Sequence, residues 1–178
     1  MQLTQSFVPL DKRIHDVKGF DCGKANMNEF LRRFADKHAK LGLSKTWVLP
    51  FAPERQESET QSTLKSGLAA YYTLAVSSVS RNEIPVSGSL PRYPVPIVLL
   101  ARLAVDVQCQ GRRVGEKALV YALRHIVRLC DQGLPALGVV LDVLDDDALK
   151  FYQRFEFFHP FTDDPMRLFV PMSALRKR

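Results

Sequence analysis

Cysteine is scarce in this 178-residue chain: Cys22, Cys109 and Cys130 are the full complement, odd in number and without a CxxC pair. That excludes a disulfide framework and a thiolate zinc site, and it fits a reducing compartment. The histidines at 15, 38, 125 and 159 show no metal-ligand spacing, so no metal is expected. Long hydrophobic runs are absent as well. A stretch such as IVLLA at 97–101 is far shorter than the roughly 20 apolar residues of a membrane helix. The opening MQLTQSFVPLDKR has neither the basic nor the apolar part of a signal peptide. The expectation is a cytoplasmic protein that does not engage a membrane. No internal repeat and no low-complexity segment is present.

What the chain does contain is ordinary for a folded protein, with 46% hydrophobic and 25% charged residues. Its length predicts one domain over residues 1–178, large enough to bury a full core. The net charge of +6 suits an anionic partner, and it equally suits solvated Lys and Arg.

Periodicity predicts the elements. Met27, Phe30, Leu31, Phe34, Ala35 and His38 recur at three- and four-residue steps, one apolar helical stripe that Gly42 ends. KTWVLPF (45–51) reads as a strand, residues 53–64 as an exposed polar loop, and 66–81 as a long strand. Four prolines make 82–96 irregular. IVLLARLAV (97–105) reads as a β-branched, apolar central strand. A helix follows over 115–131, buried through Leu119, Ala122, Leu123, Ile126, Val127 and Cys130, with Lys117, Arg124 and Arg128 on its other face. LGVVLDVL (137–144) is a buried strand and 145–155 a short helix with an acidic start. EFFHPF and MRLFVPM close the chain as strands. Strands alternating with helices give an α/β or α+β fold with a mixed sheet.

The junction DVQCQGRRVG (106–115) turns from the central strand into the helix. A helix N-terminus exposes unpaired N–H groups and partial positive charge, and so attracts phosphate. Gly111 and Gly115 allow close main-chain approach, and Arg112 and Arg113 add charge. The turn suits a pyrophosphate; a plain tight turn with surface arginines has the same local pattern. It is neither a P-loop nor a GxGxxG dinucleotide motif.

Taken together, LARLAVDVQCQGRRVGEKAL, the strand at 137–144 and DDDALKFYQRFEF resemble the core of the GNAT N-acetyltransferases. That family's Q/R-x-x-G-x-G/A cofactor loop falls on Gln110, Gly111, Arg112, Arg113, Val114 and Gly115, with Arg113 in place of the first motif glycine. Its A-x-x-F-Y signature falls on Ala148, Phe151 and Tyr152, and Glu156 replaces the glycine that usually follows. FDCGKANMNEFL, AAYYTLAVSSVS and LPRYPVPIVLLARLAVD further resemble the GNAT toxins of bacterial type II toxin–antitoxin pairs.

The resemblance implies a GNAT acyltransferase fold, a twisted mixed sheet flanked by helices whose fourth and fifth strands splay apart around acetyl-CoA. It implies acetylation of the α-amine of aminoacyl-tRNA, a block of translation, a ribbon-helix-helix antitoxin as partner, and a homodimer. By residue, it implies that Leu103, Ala104 and Val105 hold the acetyl carbonyl and pantetheine arm, and that 110–115 holds the pyrophosphate. Tyr152 would be the acid that protonates the leaving thiolate. Asp145 and Ala148 would meet the cofactor arm, although the first of three aspartates is equally a helix cap. No general base stands out: Asp106 and His125 qualify only by type and read as a buried turn aspartate and a surface histidine. Arg92, Arg32, Arg33, Lys117, Arg124, Arg128 and the RKR tail are candidate phosphate contacts, each of which also reads as a solvated charge. Rival readings are a GNAT enzyme acting on a small amine or a protein N-terminus, and a CoA- or nucleic-acid-binding module without chemistry.

Overall fold

The computed structural model describes residues 2–52, 64–86 and 88–177. The polar segment read as a loop at 53–64 therefore lies outside the described residues except for Leu64. Strands are β1 (Val8–Pro9), β2 (Lys45–Pro50), β3 (Leu68–Val79), β4 (Val95–Val105), β5 (Gly138–Asp142), β6 (His159–Pro160) and β7 (Arg167–Pro171). Helices are α1 (Ala25–Glu29), α2 (Ala35–Lys40), α3 (Val114–Asp131), α4 (Asp146–Gln153) and α5 (Met172–Leu175). The strands form a seven-stranded mixed sheet in the order β1-β2-β3-β4-β5-β7-β6. The chain packs as two compact units, Met1–Thr73 with Arg102–Tyr121, and Leu74–Ala101 with Ala122–Arg178.

In the first unit, Phe20, Met27, Phe30, Leu31, Val48, Tyr71 and Ala104 form one buried cluster. Each large side chain fully removed from water contributes about 1.5–3 kcal/mol. Tyr71 reconciles its phenol with burial by donating to the Met27 carbonyl at 2.8 Å. Trp47 stacks on Tyr72 at 5.6 Å, and Phe7 lies 5.0 Å from Tyr72 and 5.3 Å from Tyr121. The apolar stripe at 27–38 is helical but not uniformly so. Phe30–Phe34 between α1 and α2 is a π-helical turn, closed by the Ala35 N–H donating to the Phe30 carbonyl. The inserted residue advances the phase, and Phe34, expected in the core, is 39% exposed. Gly42, at φ +72°, ends α2, with Leu43 N–H on the His38 carbonyl and Gly42 N–H on that of Ala39, a Schellman pattern.

In the second unit, β5 pairs antiparallel with β7 from Gly138↔Pro171 to Asp142↔Arg167, and β6 adds to β7. Val79, Ile84, Val95, Ile97, Val140, Phe161 and Phe169 form its core. β4 pairs in parallel with β5 at Val98↔Val139 and Leu99↔Val140, then continues to Val105 without a β5 partner among the described residues. This is the splaying expected of the fourth and fifth strands.

Several boundaries differ from expectation. β4 begins at Val95, inside the proline-rich segment, because Pro96 needs no donor there and its carbonyl accepts from Leu137 N–H at 2.9 Å. Val127 and Cys130 of α3 are half-buried, and Ala118 takes a core position instead. EFFHPF supplies only the two residues of β6, because Phe155 N–H turns back to the Tyr152 carbonyl at 3.0 Å. The two-residue β1 and the one-turn α5 are too short for a periodic signal.

Candidate active site

The strand-to-helix junction is built by side chains that tie it to its surroundings. Asp106 is buried and caps a short 3₁₀ turn, Val107–Cys109, by accepting from Gln108 N–H at 2.9 Å. Its other oxygen accepts from Asp21 N–H at 3.0 Å. Asp106 N–H donates to the Ala69 carbonyl and Val107 N–H to that of Asp21. The Asp106 carboxylate is thus a structural anchor bound by two amides, which removes it as a general base. Gln110, expected to contact the cofactor, turns its side chain inward: Nε2 donates to the carbonyls of Val105 at 2.9 Å and Cys22 at 3.0 Å. It latches the end of β4 to the loop.

The chain then bends through Gly111 at φ +73° and Arg113 at φ +61°, and α3 begins at Val114. A Cβ added at Gly111 would meet nothing within 4 Å, so the main chain there faces open space. Among the described residues, the N–H groups of residues 111–115 donate to no main-chain acceptor. Val114 and Cys109 are buried and anchor the loop from below. Arg112 and Arg113 are exposed, and Arg113 Nε meets Glu116 Oε2 at 2.9 Å. An exposed pair of this kind is worth little and yields readily to a phosphate. A row of unpaired amides, a positive helix end and two guanidinium groups fit a pyrophosphate.

Tyr152 sits on α4. Asp145 Oδ1 caps that helix by accepting from Ala148 N–H at 2.9 Å, so these two residues bond to each other. Asp146 and Asp147 in the first turn complement the helix dipole. The Tyr152 ring is buried against Phe151 at 5.1 Å and Phe158 at 5.7 Å. Burial pushes its phenol above the ordinary tyrosine range, so it holds its proton at neutral pH. Its hydroxyl has no hydrogen-bond partner among the described residues.

The basic candidates separate. Arg92, Arg124 and Arg128 are exposed, and Arg124 and Arg128 follow Lys117 along α3 at helical spacing. Lys117 is half-buried with Nζ 3.4 Å from the Thr4 carbonyl. Arg32 donates to the Phe20 carbonyl at 2.8 Å, Arg33 pairs with Glu29, and Arg176 pairs with Asp131. Arg178 lies outside the described residues.

Reading by motif passed over Arg102. Its guanidinium lies 3.7 Å from the Phe30 ring centroid, half-buried, with no carboxylate among the described residues. The signal was present: it is the one charged residue in the eleven of β4. No cluster of metal-ligating side chains occurs among the described residues, and no helix there is long and apolar enough to cross a membrane.

No family model matches the chain. Relatives are nonetheless clear. The chain is 33% identical over 167 residues to the tRNA-acetylating toxin of Mycobacterium tuberculosis, covering 90% of this chain and 89% of that protein. A crystal structure of a tyrosine-to-phenylalanine mutant of KacT superposes with a TM-score of 0.84 at 25% identity, over 99% of each chain. AtaTR bound with acetyl-CoA gives a TM-score of 0.77 at 23% identity over 99% of this chain and 97% of that one. AtaT complexed with acetyl-methionyl-tRNA gives 0.80 at 21% identity over 97% of each. At that identity the AtaT structures establish the shared fold.

Proposed function

The chain belongs to the family of tRNA-acetylating toxins, and from that premise we propose that it transfers an acetyl group from acetyl-CoA to the α-amine of an aminoacyl-tRNA. The observation that carries this reading is the loop at 110–115. Its unpaired amides open a helix beside two arginines, on the position of the family's cofactor motif.

Acetyl-CoA supplies an activated acetyl thioester. The amides of residues 111–115, with Arg112 and Arg113, take the pyrophosphate. The main chain of Leu103, Ala104 and Val105, beyond the β5 ladder, orients the pantetheine arm and accepts the growing charge on the acetyl oxygen. Asp145 and Ala148 line that arm while capping the helix that carries Tyr152. The neutral amine attacks the thioester carbon, the carbon–sulfur bond breaks, and Tyr152 gives its proton to the departing thiolate. The extra amine proton leaves to water. An α-amine, with a reference pKa of roughly 7.7–8.0, keeps a far larger neutral fraction at physiological pH than a lysine side chain does, so it needs less help from a protein base.

Arg92, Lys117, Arg124 and Arg128 are the tRNA phosphate contacts in this reading. It treats residues 1–178 as one catalytic domain, in keeping with β3, β4 and α3 each running through both packing units. It further includes a homodimer, neutralisation by a ribbon-helix-helix antitoxin, and action in the cytoplasm, where charged tRNA resides.

The test is incubation with labelled acetyl-CoA and total charged tRNA. Label should enter the aminoacyl group and be released as an N-acetyl amino acid on mild alkaline hydrolysis. Label confined to free small amines would favour a small-molecule acetyltransferase. Binding of acetyl-CoA without transfer would favour the module without chemistry.

A further inference from the structure

Arg102 is a half-buried cation with no ion-pair partner among the described residues. It directly precedes Leu103, Ala104 and Val105, the main chain assigned above to the acetyl group. Its guanidinium is pinned over Phe30, on the π-helical turn, at 3.7 Å from the ring centroid. A stacked guanidinium keeps its N–H edges available for other partners.

The ionisable groups around it are accounted for. Tyr71, from β3, is pushed up by burial and is neutral, and it donates its proton to the Met27 carbonyl. The Cys22 thiol beside Tyr71 is also pushed up by burial. Two carboxylates act on Cys22 in turn. Asp21 accepts from Gly23 N–H at 2.8 Å and Asn28 Nδ2 at 2.7 Å, and lies near Arg32; Asp106 is bound by two amides. None forms a salt bridge with Arg102 among the described residues. Burial lowers the readiness of Arg102 to carry its charge, yet a guanidinium remains protonated at any physiological pH.

We propose that Arg102 is a charge-setting residue for the acceptor: its fixed positive charge disfavours an ammonium group, so an amine held at the reaction centre gives up its proton more readily. This rests on the acetyl-transfer reading above. It supplies a physical reason why the site manages without a general base. A cation within several ångströms disfavours a second cation, and partial burial weakens the screening that would otherwise remove the effect. An aminoacyl ester loses its proton easily. A side-chain amine, with a reference value near 10.4, still carries its proton near neutral pH and reacts slowly.

The experiment uses the full chain and four proteins: wild type, Arg102→Met, Arg102→Gln and Arg102→Lys. Calorimetric titration with acetyl-CoA establishes that each binds cofactor. Turnover of charged tRNA at saturating acetyl-CoA is then followed from pH 6 to pH 9, together with acetylation of an amino-acid methyl ester and of a lysine-like alkylamine. We expect the midpoint of the rising pH profile to move up by about half to one unit in the Met and Gln variants. Below that midpoint their rates should fall about 3- to 10-fold, as the neutral fraction does. The Lys variant should keep the wild-type midpoint, and in the Met and Gln variants the alkylamine, which is below its own midpoint throughout this range, should lose rate by the same factor even at the high-pH end where the ester no longer does. A loss of packing would lower rates without moving the midpoint. Unchanged midpoints in the Met and Gln variants would overturn the assignment, as would a Lys variant that shifts like the neutral ones. A wild type that binds acetyl-CoA but acetylates neither tRNA nor ester would overturn the transferase reading and this inference with it.

Discussion

Arg113 is the one residue other than glycine with a positive φ among the described residues. A side chain in that conformation costs about 1–2 kcal/mol, less the unfolded-state entropy of about 0.4–1 kcal/mol that a glycine would add. Arg113→Gly should therefore leave stability unchanged or raise it by up to about 1 kcal/mol in urea unfolding, while weakening acetyl-CoA. A clear loss of stability would show that the Arg113–Glu116 contact outweighs the strain. Tyr152 carries a different expectation. Tyr152→Phe keeps the ring and its contacts with Phe151 and Phe158, so fold and acetyl-CoA affinity should persist while turnover falls by roughly 10²–10⁴. Wild-type turnover in that variant would remove Tyr152 from the chemistry. His15 reports on pH. It is buried, and its Nδ1 accepts from Asp11 N–H at 3.0 Å, so protonation must break that bond. Burial lowers its folded-state pKa below the ordinary value of about 6.5. The stability it contributes is present above that value and is lost as pH falls through and below it. Asp11, held down to about 2 by Arg13, titrates in a lower range. Denaturant midpoints between pH 8 and pH 5 should fall in the wild type and fall less in His15→Gln; equal slopes would show that His15 is not the group responsible.

At the scale of elements, the β5–β7 ladder depends on a missing side chain. A Cβ at Gly138 would strike the Val170 carbonyl and approach the Phe169 ring at 2.6 Å. Gly138→Ala should destabilise the protein by about 1–3 kcal/mol, read by thermal or urea unfolding. A neutral outcome would mean that β7 can move away from β5. The sequence readily identified β3, β4, α3 and α4, whose long apolar runs or stripes are local signals. The π-helical turn at Phe30–Phe34 was not readable, because its five residues carry ordinary helix formers and the extra residue in the turn answers to packing. The role of Gln110 was hidden for a related reason. Its partners, Val105 and Cys22, come from five and eighty-eight residues away.

For the whole molecule, the net charge of +6 and the exposed Arg92, Arg124 and Arg128 are what the proposed tRNA binding would draw on electrostatically. The affinity for charged tRNA should fall linearly on a log–log plot against salt, and replacing one phosphate-contacting arginine should reduce the slope by about 0.7–0.9. A salt-independent affinity would assign these arginines to solvent.

The sequence by itself determined the order of strands and helices, the helix-opening turn with its glycines and arginines, and the tyrosine of the short acidic helix. These rest on contiguous residues, and local periodicity and helix-end electrostatics act over a few residues at a time. Tertiary structure decided what Asp106 and Gln110 do, where β4 leaves its parallel partner, and that Arg102 stacks on Phe30 with no acid paired to it among the described residues. Those outcomes depend on which distant backbone groups and side chains arrive alongside, a matter of packing in three dimensions that no short stretch of the chain encodes.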